Sequence, residues 1–377
     1  MNLKTSTSAD KPTSTQERAR DSVVVSLPRG LAAKRSRLGW LLALTVGFWA
    51  VLAQAQEFRY HYVALDQAPL PAGFVFFGAE AINESGRVYG EAYDDQSFDP
   101  HVAVYQNGAV TVLAPNLASV VGAVNAGGTV GGAVITDEVN FLTQAALFHG
   151  AQVELIPRLP GEITSFVITL NDSGMALVGS FDANSTETLE LYKNGHATSI
   201  DFGPNVPFAS SLSINNCGII SGITFSAQSS GDVGFRFDTR TGQTTWLYPI
   251  AGDPEAWALG INNRGDILGY SFVFNATERI GVWDRNGVFT PYFVEGTPEI
   301  PTISNSLLFN DNNLIVITDL GTLPLTSYIV PSPGVRLDLA DLVENLPPGQ
   351  DLAVIIGINN HGDMIGRGDF LLERMPR

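Results

Sequence analysis

An all-β chain closed into a seven-bladed β-propeller of four-stranded blades is the fold this sequence predicts. Three observations predict it: one Asn-Gly phrase returns seven times, a second hairpin signal follows at a regular offset, and the two chain ends hold complementary parts of one unit. Composition sets the frame. The 377 residues are 45% apolar but only 16% charged, and 38 acids against 21 bases give a formal charge of −17. Phosphate recognition needs clustered Lys and Arg, so nucleic acid is nearly excluded as a partner. A single cysteine excludes a disulfide framework and any multi-thiolate metal site.

Residues 1–55 read as a polar leader and secretory signal peptide. Arg29, Lys34, Arg35 and Arg37 precede an uncharged, mostly apolar run from Leu38 to Ala53, and Ala53-Gln54-Ala55 is a small-x-small site for cleavage before Gln56. A run of 16 residues is short for a permanent span, which needs about 20, so no membrane span is expected after cleavage and the chain is expected to be secreted, extracellular or periplasmic. The remaining residues, 56–377, form one domain with 13 bases and 35 acids, a charge of −22. Such a surface favours cations or basic partners.

The first phrase is Ile82-Asn83-Glu84-Ser85-Gly86-Arg87-Val88-Tyr89-Gly90. Its Asn returns as Asn125, Asn171, Asn215, Asn262, Asn310 and Asn359, at intervals of 42, 46, 44, 47, 48 and 49 residues. That period matches a four-stranded propeller blade. Units rich in Gly, Val, Ile, Phe and Thr, without sustained 3.6-residue spacing, do not fit a helical solenoid. An Asn side chain can accept hydrogen bonds from backbone N–H groups two residues on, and Gly three positions later takes the left-handed conformation, so each phrase predicts a tight hairpin. In the sixth copy Asn313 stands where the others have Gly, and Asn is the next-best residue for positive φ. The alternating carboxylates of an EF-type calcium loop are absent.

The second hairpin reads Asn107-Gly108, Asn194-Gly195 and Asn286-Gly287 between apolar runs, with variants at Phe148-His149-Gly150, Thr239–Gly242 and Pro331–Gly334. Two hairpins per unit make four strands. After its seventh phrase the chain has only one more strand, Phe370–Glu373, whereas Tyr60–Leu65 is a spare strand before the first phrase. Pairing the two closes the ring and leaves no open edge.

These residues resemble the bacterial HAF-type extracellular repeat family. The likeness lies in Ile/Val-Asn-x-x-Gly-x-Val-x-Gly followed by an apolar strand and Asn-Gly, and it covers nearly all of residues 57–377. The family's His-Ala-Phe strand survives only loosely, as His101-Val102-Ala103-Val104 or Ala145–Phe148, and Asp319–Leu323 echoes its Asp-Leu-Gly-Thr-Leu out of phase. The resemblance implies an exported protein. It supplies no catalytic residues.

Chemistry is sparse. There is no Gly-x-Ser-x-Gly elbow, phosphate-binding loop or His-Glu-x-x-His. The histidines His61, His101, His149, His196 and His361 are scattered singly and read as surface or turn residues, and Cys217 reads as incidental. No catalytic residue, metal site or cofactor is therefore assigned. Acids carry the one directional signal. They recur in the loop after the second strand: Asp94, Asp95 and Asp99, then Asp137 and Glu138, then Asp182 and Glu187, Asp232, and Glu278. In a propeller these loops share one face with the blade-joining loops, which hold Asp253, Glu255 and Trp257, and also Phe74, Phe76 and Phe77. This face is either a solvated acidic rim or a binding surface for carbohydrate, a cation or a basic protein. The functional expectation is a secreted, noncatalytic binding module. The alternatives are a carbohydrate-active enzyme working through paired loop carboxylates and calcium-dependent adhesion.

Overall fold

The computed structural model describes residues 57–376, apart from 204–205, 207, 226–230, 274–276, 296–305, 320–324, 351 and 353. The expected leader and signal segment lies outside the described residues. Six four-stranded antiparallel sheets and one five-stranded sheet follow one another along the chain, giving seven blades in a ring. In the first blade, Phe74–Ile82, Val88–Asp94, Pro100–Gln106 and Ala109–Val112 pair in sequence order, and the same order recurs at 119–155, 162–199, 210–247, 255–295 and 306–338.

The phrase turns form as their chemistry demands. Asn83 Oδ1 accepts from Ser85 N at 3.1 Å and Arg87 N at 3.0 Å, and Gly86 N closes the turn on Asn83 O. Gly86 has φ 73° and Asn313, its counterpart in the sixth copy, 57°, so Asn does take the left-handed role there. The last Gly of the phrase has a separate cause. A Cβ on Gly90, Gly132 or Gly269 would lie 1.8–2.0 Å from the carbonyl oxygen of Gly78, Val120 or Trp257 on the adjoining first strand. Only a residue without a side chain lets those two strands pair. Of the Asn-Gly hairpins, Asn107-Gly108 and Asn194-Gly195 have both residues at positive φ, the two-residue turn expected. Asn286-Gly287 is different: Asp284 caps a longer loop, its Oδ1 accepting from Asn286 N and Val288 N at 2.9 Å.

The ring closes through the chain ends. Tyr60–Ala64 pairs antiparallel with Phe370–Arg374, placing Tyr62 opposite Leu372 and Val63 opposite Leu371. A fifth strand of two residues, Val343–Glu344, runs parallel along the outer edge of Tyr60–Ala64. Beside it the Asn345 side chain imitates a strand partner, accepting from Tyr62 N at 3.0 Å and donating to Tyr62 O at 3.1 Å. The last blade's outer edge is thereby covered.

The core lies between blades. Ala145 and Leu147 of the second blade pack with Val167, Leu170, Ala176 and Val178 of the third. The closing strand contributes Tyr60 and Tyr62 to a cluster with Met364, Phe370 and Leu372 of its own blade and Val316, Ile329 and Leu337 of the sixth. Burial of such side chains is worth roughly 1.5–3 kcal/mol each, so the seventh blade is held by packing as much as by its ladder. His101, expected on the surface or in a turn, is 7% exposed and sits in the core with Nδ1 facing Ala114 O at 3.4 Å. Its neighbour Phe74 packs edge-on against it.

Candidate functional site

The first-to-second and third-to-fourth strand turns lie on one face of the ring, here the turn face. The second-to-third loops and the blade-joining loops lie on the other, the loop face.

The turn face is taken up with holding the ring together. The seven phrase asparagines, 2–7% exposed, form a circle in which each donates Nδ2 to a main-chain carbonyl of the next blade's turn. Asn83 bonds Ala126 O, Asn125 bonds Asn171 O, Asn171 bonds Asn215 O and Asn215 bonds Asn262 O; Asn262 bonds Asn310 O, Asn310 bonds Asn359 O, and Asn359 returns to Asn83 O, all at 2.9–3.4 Å. A second circle is made by the residues that follow. Backbone N–H groups of Ala126, Asp172, Asn216, Asn263, Asp311 and Asn360 donate to the side chains of Asp172, Asn216, Asn263, Asp311, Asn360 and Glu84 at 2.7–3.0 Å. It opens only at Ala126, which has no side-chain acceptor to offer Glu84 N. The two circles line a polar mouth of about 470 Å³. Burial raises the Glu84 carboxyl above the usual range, the Asn360 N–H opposes that, and the charges of Asp311 and Asp172 add to it. The mouth's acids are largely matched by amides: Asp311 Oδ2 accepts from Asn263 and Asn360 Nδ2 at 3.1 and 2.8 Å. The inward, bridging half of each asparagine's role has no local signature in the phrase, and the sequence reading missed it.

The loop face is built differently. Asp94 Oδ1 accepts from Gln96 N and Ser97 N at 2.8 and 2.9 Å, and Asp137 Oδ1 accepts from Val139 N and Asn140 N at 3.0 Å. Those N–H groups, with the Asn140 side chain at Asp137, hold both carboxyls below their ordinary pKa. Both acids thus shape their own loops. Asp253 is drawn inward, its Oδ1 paired with Arg279 and its Oδ2 accepting from Ser271 Oγ, each at 2.6 Å. The Trp257 indole N–H donates to Asp232 Oδ2 at 3.1 Å and its ring meets Tyr270 and Phe272 edge-on, so it is a packed wall rather than an open platform. Glu255 is half-buried, with its carboxyl raised first by burial and then by Asp232. Asp95 and Glu138 face solvent, and Asp99 is half-buried. Of the three phenylalanines expected here, Phe77 is 2% exposed and belongs to the core, while Phe76 is 48% exposed.

The feature that dominates this face was not read from the sequence. Thirteen large apolar side chains are exposed among the described residues, and eleven lie at its loops or at the strand ends beside them; Phe166 is midway along its strand and Val288 is on the turn face. Phe98, Val139, Phe141, Phe208 and Tyr248 are 58–86% exposed. Phe98 and Phe141 also have φ of 61° and 53°, each four residues after the Asp that caps its loop. A bulky side chain in the left-handed region costs roughly 1–2 kcal/mol, and Asn or Gly would relax both sites. Strain of this kind, held on an exposed aromatic, is what interaction surfaces tolerate. The available signal was an apolar residue inside a polar loop, as in Ser97-Phe98-Asp99 and Asn140-Phe141.

No family model matches the chain, and no curated protein sequence matches it. Among solved structures it is similar to YCF48 bound to D1 peptide, with a TM-score of 0.51 at 10% identity over 85% of this chain and 97% of that one. It is also similar to the SapL1 lectin in complex with α-methyl fucoside, with a TM-score of 0.39 at 13% identity over 76% of this chain and 100% of that one. At these identities the likeness concerns the fold alone, and only the first value is high enough to argue from. It agrees with the propeller architecture.

Proposed function

We propose that this protein is an exported, noncatalytic binding module, a β-propeller of the HAF-type extracellular repeat kind whose loop face is its contact surface. One observation carries the reading: the exposed large apolar side chains gather on that face, two of them on strained backbone, with Asp95 and Glu138 exposed among them. Contiguous exposed apolar surface rimmed by charge is the usual mark of a protein interaction site. The chain's other polar resources support it, since the turn-face amides are engaged in closing the ring. Export rests on the basic, apolar and small-residue order of residues 29–55. That a chain of the same fold is solved with a peptide bound illustrates what such a ring can hold and lends no residue to this one.

The test is binding of the purified protein to glycan and peptide arrays, compared with the double variant Phe98→Ser/Phe141→Ser and with Val288→Ser. The expected result is binding on one array that the loop-face variant loses and the turn-face variant keeps, with both variants folded. Equal loss in the two variants, or turnover of an array component by the wild type, refutes the reading. Export is checked separately by N-terminal sequencing of the protein recovered outside the cytoplasm, where Gln56 should be first.

A further inference from the structure

At the loop-face end of the third blade lies a cavity of about 400 Å³, walled by Leu159 to Glu162, Asp182, Thr186 and Thr188. Its volume falls in the range of small-ligand sites, roughly 300–1,000 Å³. Asp182 is committed to its own loop, accepting from Asn184 N at 2.8 Å and Thr186 N at 2.9 Å. Glu162 is engaged through one oxygen: its Oε2 accepts from Leu159 N at 2.8 Å, and its carboxyl also meets that of Glu190 behind it. Glu190 is 1% exposed. Its Oε1 accepts from Ser180 Oγ, and its Oε2 has no donor.

Two facing carboxyls can bond when one keeps its proton, or both can ionise when a cation stands beside them. Burial first, and then Glu162, push the Glu190 carboxyl up; the Ser180 hydroxyl opposes them, and no cation is among the groups that act on it. A basic group beside the pair would match its charge. Arg158, beside the wall, is already bound to Thr143 O at 2.6 Å, and the adjoining loop and first strand carry exposed apolar side chains. Val139 and Phe141 are 86% and 81% exposed, Ile163 and Phe166 38% each, and Phe166 stacks on Phe181 with centroids 6.3 Å apart. The second blade's rim is tied to the third by Thr143 N donating to Thr164 Oγ1 at 3.0 Å. A single polar pocket inside an apolar surround is the form of an anchor site, in which one deeply placed side chain fixes a partner.

We propose that this cavity takes one basic side chain, lysine or arginine, from a bound polypeptide, its cationic head against Glu162 with Glu190 behind, while apolar flanking residues lie on Phe141, Ile163 and Phe166. The proposal rests on the loop-face reading and names its partner as a cationic, apolar-flanked peptide segment. Charge favours this occupant, because 13 bases against 35 acids in residues 56–377 attract cations from a distance and repel acidic chains. A neutral sugar can donate hydroxyls to Glu162 but brings no charge to match the pair. In the bound state the ammonium or guanidinium donates to Glu162, and the Thr186 and Thr188 hydroxyls can accept its remaining N–H groups.

The test uses the full chain and three capped tripeptides, Phe-Arg-Phe, Phe-Lys-Phe and Phe-citrulline-Phe, titrated calorimetrically. Arginine and lysine peptides should bind about tenfold or more tighter than the citrulline peptide, the discrimination of one charge-assisted contact. Glu162→Gln and Glu190→Gln should each remove most of that preference; a melting temperature at or above that of the wild type shows that the fold survives. Phe141→Ser should weaken all three peptides alike. Equal affinities for the three, or a preference that survives both Gln variants, overturns the cavity while leaving the loop face intact if Phe141→Ser still weakens binding. No binding by any of the three also overturns it, and the array experiment then decides the loop face separately.

Discussion

Asn171 offers the clearest way to measure what the amide circle contributes. Its Oδ1 accepts from Ser173 N, Ser173 Oγ and Met175 N at 2.7–3.0 Å, and its Nδ2 donates to Asn215 O at 2.9 Å. The residue is 3% exposed, and Met175 and Asn215 are also buried. Replacement by Ala removes every one of these bonds and leaves the buried Met175 N without a partner, while Asn215 O keeps only the bond from Gly218 N. At roughly 1–3 kcal/mol for the orphaned N–H and about 1 kcal/mol for the lost inter-blade bond, the expected loss is about 2–4 kcal/mol. Asn171→Asp separates the two halves of the role, because it keeps the acceptor for the turn and loses only the donor to the next blade. At neutral pH it should cost about 1.5–3 kcal/mol, since a carboxylate oxygen then faces a carbonyl. Protonation restores an O–H donor, so this deficit should shrink at pH 5. Guanidinium unfolding followed by tryptophan fluorescence at pH 7.5 and pH 5 measures both. A neutral-pH midpoint for Asn171→Asp equal to that of the wild type would show that the inter-blade bond holds nothing, and the account of the turn face would fail with it.

Other outcomes follow from single features. Phe141→Asn should stabilise the protein by about 1 kcal/mol, because Asn accepts the left-handed backbone that Phe strains to adopt; a lower melting temperature would mean that Phe141 packs rather than waits for a partner. Gly132→Ala should destabilise by about 3 kcal/mol or more, as its Cβ would fall 2.0 Å from Val120 O, and a neutral result in thermal unfolding would contradict the strand spacing. Glu91, 7% exposed, accepts from Val121 N at 2.7 Å, yet burial raises its carboxyl to about 7. The native state therefore binds this proton more tightly than the unfolded chain, and stability should fall as pH rises from about 4.5 through 7, by on the order of 2–3 kcal/mol. In Glu91→Gln that part of the pH dependence should vanish from denaturation midpoints, and an unchanged slope would refute the assignment.

The parts of the fold that were legible are those whose chemistry is local. Asn followed three residues later by Gly specifies its own turn, so Asn83-Gly86 and its copies could be read directly, as could Asn313 in place of Gly. Closure was legible because strand phase is conserved arithmetic: a spare strand at Tyr60 and a missing one after Phe370 leave a single pairing. What could not be read depends on partners far along the chain. The bridging Nδ2 of each Asn finds its carbonyl only once the ring exists, and Glu190 meets Glu162 only across a formed blade. The loop acids show the limit from the other side. Asp94 and Asp137 look like ligands in one dimension and prove to be caps, while Asp253 is turned inward by Arg279. The exposed phenylalanines beside them mark the surface more clearly than any charge does.

The pairing of Tyr60–Ala64 with Phe370–Arg374 has a consequence for how the molecule is made. The contact spans about 310 residues, and joining ends that far apart costs roughly 5 kcal/mol of chain entropy, so it belongs to the slow end of folding. The strand Tyr60–Ala64 must wait for Phe370–Arg374, and a chain that stops before Phe370 leaves Tyr60 and Tyr62 without their ladder and without the cover of Phe370 and Leu372. Incomplete copies are thereby distinguished from finished ones by their own exposed tyrosines, a built-in check on length.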